Sequence, residues 1–133
     1  MGNPIQLSKL GFGCAPVMGK IGKRQSLRSM NEAFDLGVTH FDIARSYGFG
    51  EAELVLGQFI QARRSDVTVT TKFGVVPPNL SLVKKTLIPI ARAVNDVLPV
   101  LNASMKKTSG KLLAHRNFVP AYAKSCLEQS LKN

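Results

Sequence analysis

Three side chains in this sequence have the types and spacing for acid catalysis: Asp42, Tyr47 and Lys72. A tyrosine hydroxyl has an unperturbed pKa of about 10, which makes it a poor proton donor at neutral pH. A nearby lysine ammonium favours the phenolate and lowers that value. A carboxylate paired with the lysine keeps it charged and aimed. The result is a general acid matched to its task. Taken singly, each residue has a plainer role: a strand-end Asp caps a loop, a Tyr before Gly sits in a turn, and a strand-end Lys is a solvated edge. Three mutually useful types on one rim are harder to assign to structure alone.

The elements around them are expected to create such a rim. Residues 5–13 alternate apolar with small or polar residues and end at Gly11-Phe12-Gly13, which predicts a strand and a glycine-rich turn. Ser26 is the expected cap of a helix with Leu27, Met30, Ala33, Phe34 and Leu36 on its apolar stripe, stopping at Gly37. Val38 to Asp42 reads as a second strand. Glu51 opens a second helix carrying Leu54, Val55, Gln58, Phe59 and Ala62, with Glu51 and Glu53 in the first turn, where the dipole favours them. The β-branched run from Asp66 to Lys72 predicts a third strand. This alternation argues for an α/β protein with a parallel sheet and crossover helices. Periodicity does not choose between a barrel and a doubly wound sheet. In either, Asp42, Tyr47 and Lys72 share the C-terminal rim, where such folds build their sites.

Past Lys72 the pattern loosens. Pro77-Pro78-Asn79 breaks the chain, residues 80–107 read as helical with interruptions at Pro89 and Pro99, and residues 118–132 predict a final helix. The formal net charge of +10 is uneven: residues 1–77 hold nine basic and six acidic side chains, residues 78–133 nine and two. The later excess is scattered and has no interleaved aromatics, so neither a nucleic-acid platform nor a membrane-docking helix is expected. No stretch is long and apolar enough to span a bilayer. The opening residues lack a secretory leader, and Gln6 departs from a myristoylation site, so a cytoplasmic location is expected. Cys14 and Cys126 define no disulfide framework and no zinc spacing; both are read as reduced, Cys126 facing a core, and no metal site is expected. His40 is read as structural, and His115 matches no site.

The stretch Gly37–Gly57 resembles the signature of the aldo/keto reductase family: an Asp (Asp42), a Tyr five residues later followed by Gly (Tyr47-Gly48), then an acidic residue and Leu56-Gly57. Thr70-Thr71-Lys72-Phe73-Gly74 resembles the family's Thr-Lys strand end, and Leu10–Ala15 its first strand and turn. Phe118–Asn133 resembles the helix before its fourth strand. The resemblance implies the N-terminal portion of a (β/α)₈ TIM barrel, about three βα units of a fold that typically needs ~250 residues. Residues 1–133 are then one partial barrel domain, with 76–117 an irregular, basic, partly helical insertion, truncated before strand 4.

The resemblance further implies NADPH, or NADH, and a small-molecule carbonyl or alcohol substrate. Aldehydes and ketones would be reduced, or alcohols and sugars oxidised. Tyr47 would donate the proton, Lys72 would lower the Tyr47 pKa, and Asp42 would pair with Lys72. Gly13, Cys14 and Ala15, with Asp42, would lie at the nicotinamide end of the cofactor. Cys14 stands where the family has Thr or Ser, which removes a hydroxyl donor; Ile43 also stands where Thr or Ser is common. The family's catalytic His and main cofactor grip would lie beyond Asn133. As a fragment the chain is therefore expected to be inactive, with open sheet edges that invite self-association. The alternative is a non-catalytic regulatory or interaction subunit that keeps the fold.

Overall fold

The computed structural model describes residues 7–77 and 115–133. The helical reading of 80–107 and most of the basic insertion lie outside the described residues. Elements follow in the order β1 (Gly11–Gly13), α1 (Lys23–Asp35), β2 (His40–Asp42), a 3₁₀ turn (Tyr47–Gly50), α2 (Ala52–Ile60), β3 (Thr68–Thr70) and α3 (Pro120–Ser130). Among the described residues the strands form one sheet in the order β1-β2-β3, parallel throughout. Gly11, His40 and Thr68 lie abreast, then Phe12, Phe41 and Val69, then Gly13, Asp42 and Thr70.

The period-2 alternation of strands divides this ladder into two faces. Phe12, Phe41 and Val69 join the core beneath the helices. Phe41 is fully buried and packs at 5.7 Å from Phe12 and 5.0 Å from Phe59 of α2. The other face carries glycines, threonines, His40 and Asp42. The His40 ring lies against Gly11, whose missing Cβ leaves room for it, with Nδ1 2.9 Å from the Thr68 hydroxyl and Nε2 3.4 Å from the Thr70 hydroxyl.

The strands are shorter than the sequence pattern suggests. Ahead of β1, the Ser8 hydroxyl takes the place of a backbone ladder by accepting from the amides of Thr39 and His40. Helix α1 also starts earlier than expected: Gly22 stands at its N-cap, and Ser26 is buried in the first turn with its hydroxyl donating to the Gly22 carbonyl. A serine that bonds back to the i−4 carbonyl is a helix residue rather than a cap. Met30 is buried as expected, whereas Leu36 lies beyond the helix and is 86% exposed. Gly37, at φ 89°, turns the chain out of α1, with its amide donating to Phe34 and that of Val38 to Ala33.

In α2 the buried stripe is Ala52, Val55, Leu56 and Phe59, at the i, i+3, i+4, i+7 spacing of one helical face. Leu54, expected inside, is half exposed, and Glu53 is buried in its stead. Helix α3 begins with Pro at its first position, where no intrahelical amide is required. It buries Cys126 and leaves Leu127 and Leu131 exposed. No helix among the described residues is long and apolar enough to cross a membrane.

Phe41 holds β1, β2 and α2 together, so Phe41→Ala should destabilise the protein by about 3–5 kcal/mol. Leu36→Ala, at an exposed position, should stay within about 0.5 kcal/mol of the parent. Equilibrium denaturant unfolding of both variants checks this; equal losses would show that the core is not organised around Phe41.

Candidate active site

Each strand ends at the same level, so the residues that leave them meet. Lys72, two residues past β3, donates to Asp42 Oδ1 at the end of β2, and to the Ile43 carbonyl at 3.4 Å. Its ammonium lies 5.5 Å from the centre of the Tyr47 ring. The structure thus brings Asp42, Tyr47 and Lys72 together. Lys72 and Asp42 are both nearly half exposed, at 46% and 44%, so the pair is open to solvent. Desolvation, the largest single influence on Lys72, opposes its charge. The hydrogen bond to Asp42 and the interactions with Tyr47 outweigh it, and the ammonium is held above its ordinary pKa.

Tyr47 is positioned by an unusual turn. Its amide donates to the Ala44 carbonyl at 3.0 Å. The next two residues, Gly48 and Phe49, both adopt left-handed backbone, with φ 58° and 59°. Gly48 is buried against the β1 loop: a Cβ there would fall 2.5 Å from the Met18 Cβ and 2.8 Å from the Val17 carbonyl. Met18 is itself left-handed, at φ 55°. Non-glycine residues in this region are held there by their surroundings.

The turn after β1 divides in two. Gly13 and Ala15 are exposed, and a Cβ built on Gly13 would meet nothing within 4 Å. That leaves open space beside Asp42 at the strand end. Cys14 is placed differently. Its side chain is fully buried, its amide donates to the Asp42 carbonyl at 2.8 Å, and its thiol lies 3.8 Å from the Phe12 carbonyl. Of the residues expected to meet a cofactor, Cys14 therefore supports the rim from inside rather than lining it. Among the described residues no group of three or more His, Cys, Asp or Glu is placed to hold a metal.

Two polar residues beside the site, Glu53 and Arg45, were given no part in it by the sequence. Glu53, only 7% exposed, accepts from Thr71, Ser130 and Asn133. Its signal was faint: an acid in a first helical turn is ordinarily a surface residue. Arg45 reaches the Cys126 carbonyl at 3.4 Å, while its Nε is buried without a hydrogen-bond partner. His115 is exposed and lies in the segment that meets Val76 through the backbone.

Residues 9–121 match the model of the aldo/keto reductase family. The oxidoreductase YqkF of Bacillus subtilis is 34% identical over 70 residues, which cover 53% of this chain and 22% of that protein. The L-galactose dehydrogenase of Arabidopsis thaliana is 36% identical over 76 residues, 53% of this chain and 24% of that protein. Among solved structures, the holo form of an aldo-keto reductase from Bacillus halodurans superposes with a TM-score of 0.63 at 23% identity, covering 96% of this chain and 32% of its own. The matched region is thus about a quarter of these curated relatives, and the whole chain about a third of that solved barrel.

Burial, reinforced by the charge of Asp42 and opposed by that of Lys72, pushes the Cys14 thiol from its ordinary 9.0 up to about 12. A raised pKa means that the fold prefers the neutral thiol. The stabilisation is fully present below pH 9 and is lost as pH rises from there through 12. Unfolding free energy should therefore fall across that window, by at most about 1.4 kcal/mol per pH unit from this group. Cys14→Ala should show a shallower fall in denaturant unfolding at stepped pH; parallel curves would show that Cys14 does not carry the effect.

Proposed function

Because this chain belongs to the aldo/keto reductase family, we propose that Asp42, Tyr47 and Lys72 form the acid side of an NADPH- or NADH-dependent carbonyl reductase site. It reduces small aldehydes and ketones, or oxidises alcohols and sugars in the reverse direction. The observation that carries this reading is Lys72, bonded to Asp42 and lying over Tyr47 on an open rim. The name of the L-galactose dehydrogenase keeps sugars within the substrate class.

The bound cofactor would supply the hydride to the carbonyl carbon. Gly13 and Ala15 would border its nicotinamide end, with Asp42 beside them. Tyr47 would give its hydroxyl proton to the carbonyl oxygen as that oxygen gains charge, leaving a phenolate. Lys72 would stabilise the phenolate, and Asp42 would keep the ammonium charged and pointed at it. The rest of the cofactor grip and the remaining catalytic donor would come from the other βα units of the barrel.

In the complete barrel, Tyr47→Phe should retain cofactor binding and lose kcat by about 10²–10⁴-fold, the usual contribution of general acid catalysis. Steady-state carbonyl reduction and cofactor titration measure the two effects, and undiminished turnover would refute the assignment.

Lys72→Met tests the charge. Alcohol oxidation needs the phenolate, which is disfavoured once the ammonium is gone. Turnover should fall, and the rising limb of the oxidation pH profile should move to higher pH. A limb that stays in place, with chemistry limiting, would mean that Lys72 is not the perturbing charge.

A further inference from the structure

The mechanism above leaves one buried acid without a task. Glu53 projects from the first turn of α2 and is 7% exposed. Its Oε1 accepts from the Thr71 hydroxyl at 2.7 Å and from the Ser130 hydroxyl at 2.8 Å, and its Oε2 accepts from Asn133 Nδ2 at 3.3 Å. Burying a carboxyl group is costly unless its oxygens are paired, and all three partners come from outside its own helix.

The pairing between β2 and β3 ends at Asp42 and Thr70. Thr71 and Lys72 lie between that ladder and the backbone bonds that join Gly74 and Val76 to Asn117 and His115, so their own facing is set by what their side chains meet. Successive residues of an extended chain point to opposite faces, and a slip of one residue turns every side chain over. Thr71 points to the helix side, into Glu53. Lys72 points to the other side, onto Asp42. Fixing the first therefore fixes the facing of the second.

We propose that Glu53 is a positioning residue for Lys72, acting through the Thr71 hydroxyl, and that its bonds to Ser130 and Asn133 tie the end of α3 to the same anchor. This rests on the reading of Lys72 as the charge that tunes Tyr47. The charged and titratable groups around Lys72 are Asp42 of β2, Tyr47 of the 3₁₀ turn and Cys14 of the β1 turn, with Lys124 of α3 across an adjoining cleft. Arg64 lines the cleft beside Glu53. Thr71→Val and Thr71→Ser change none of these groups and no charge, so a moved pH profile in Thr71→Val reports on the placement of Lys72.

The test uses the complete barrel with Thr71→Val, Thr71→Ser, Glu53→Ala and the double variant Glu53→Ala/Thr71→Val. Tyr47→Phe and Lys72→Met serve as references. Thr71→Val removes one hydroxyl at nearly constant shape, and so guards against Glu53→Ala failing to fold. The expected result is a kcat loss on the order of 10–100-fold in Thr71→Val, the scale of misplaced support around a reacting group. KM should stay nearly level, and the rising limb of the oxidation pH profile should move to higher pH, as in Lys72→Met. Thr71→Ser should restore the parent profile. Where Glu53→Ala folds, the double variant should be no worse than the worse single one. Thr71→Val with an unmoved limb, or additive losses in the double variant, would overturn the positioning role while Tyr47→Phe remains crippled. If Tyr47→Phe turns over like the parent, the functional reading itself fails and this role fails with it.

Discussion

Parallel pairing in a single register sets Gly13, Asp42 and Thr70 side by side. Every later feature of the site follows from that row. Because the strands run the same way, their exits coincide, and loops distant in sequence emerge within reach of one another. Lys72 meets Asp42 across a separation of 30 residues because each lies at or just beyond the end of its strand. An antiparallel sheet would send alternate exits to opposite ends, and the same three side chains would never meet. The shared rim is why α/β folds of this kind gather chemistry at the C-terminal end of the sheet.

The same alternation separates stability from function across a single layer of backbone. Phe12, Phe41 and Val69 face the helices and supply the core. Gly11, His40 and Thr68, and above them Gly13, Asp42 and Thr70, face the other way and bury little hydrocarbon. His40 with its two threonines fills the level below Asp42 with polar contacts. A hydrophobic sheet face left on that side would seek cover; a polar one tolerates water and substrate. The chain therefore keeps its largest apolar contacts on the face opposite the Asp42–Lys72 pair, which stays half exposed.

Much of this arrangement was legible in the residues. Asp42, Tyr47 and Lys72 could be picked out because their types serve one reaction and the strand pattern placed them on one rim. Gly37 ended its helix as expected because left-handed backbone favours glycine. What was not legible depended on neighbours distant in sequence. Ser26 has the composition of a cap, yet its hydroxyl finds the Gly22 carbonyl and it becomes an interior residue. Leu54 and Glu53 exchange the places that hydrophobicity assigns them. Phe59 and Phe41 set the rotation of α2, and Glu53 finds Thr71 and Ser130 at the position that this rotation buries. Cys14 reads as a rim residue from its place in a turn, but its amide is committed to Asp42 and its side chain follows inward.

Placement of Tyr47, the proposed proton donor, calls for a further constraint, since a tyrosine on a free loop would sample many positions. The turn that carries Tyr47 is locked against the loop after β1. Gly48 is packed so closely on Val17 and Met18 that no side chain fits, and Met18 and Phe49 both hold left-handed backbone that costs on the order of 1–3 kcal/mol each. Such backbone persists only where the surrounding contacts over-determine it. Here those contacts join the turn bordering the proposed nicotinamide position, Gly13 to Ala15, to the turn bearing the acid. In the proposed reaction the hydride and the proton would have to arrive at adjacent atoms of one carbonyl. Two loops interlocked through Gly48 keep that spacing more faithfully than either could alone, and the backbone energy stored at Met18 and Phe49 is what the interlock holds in place.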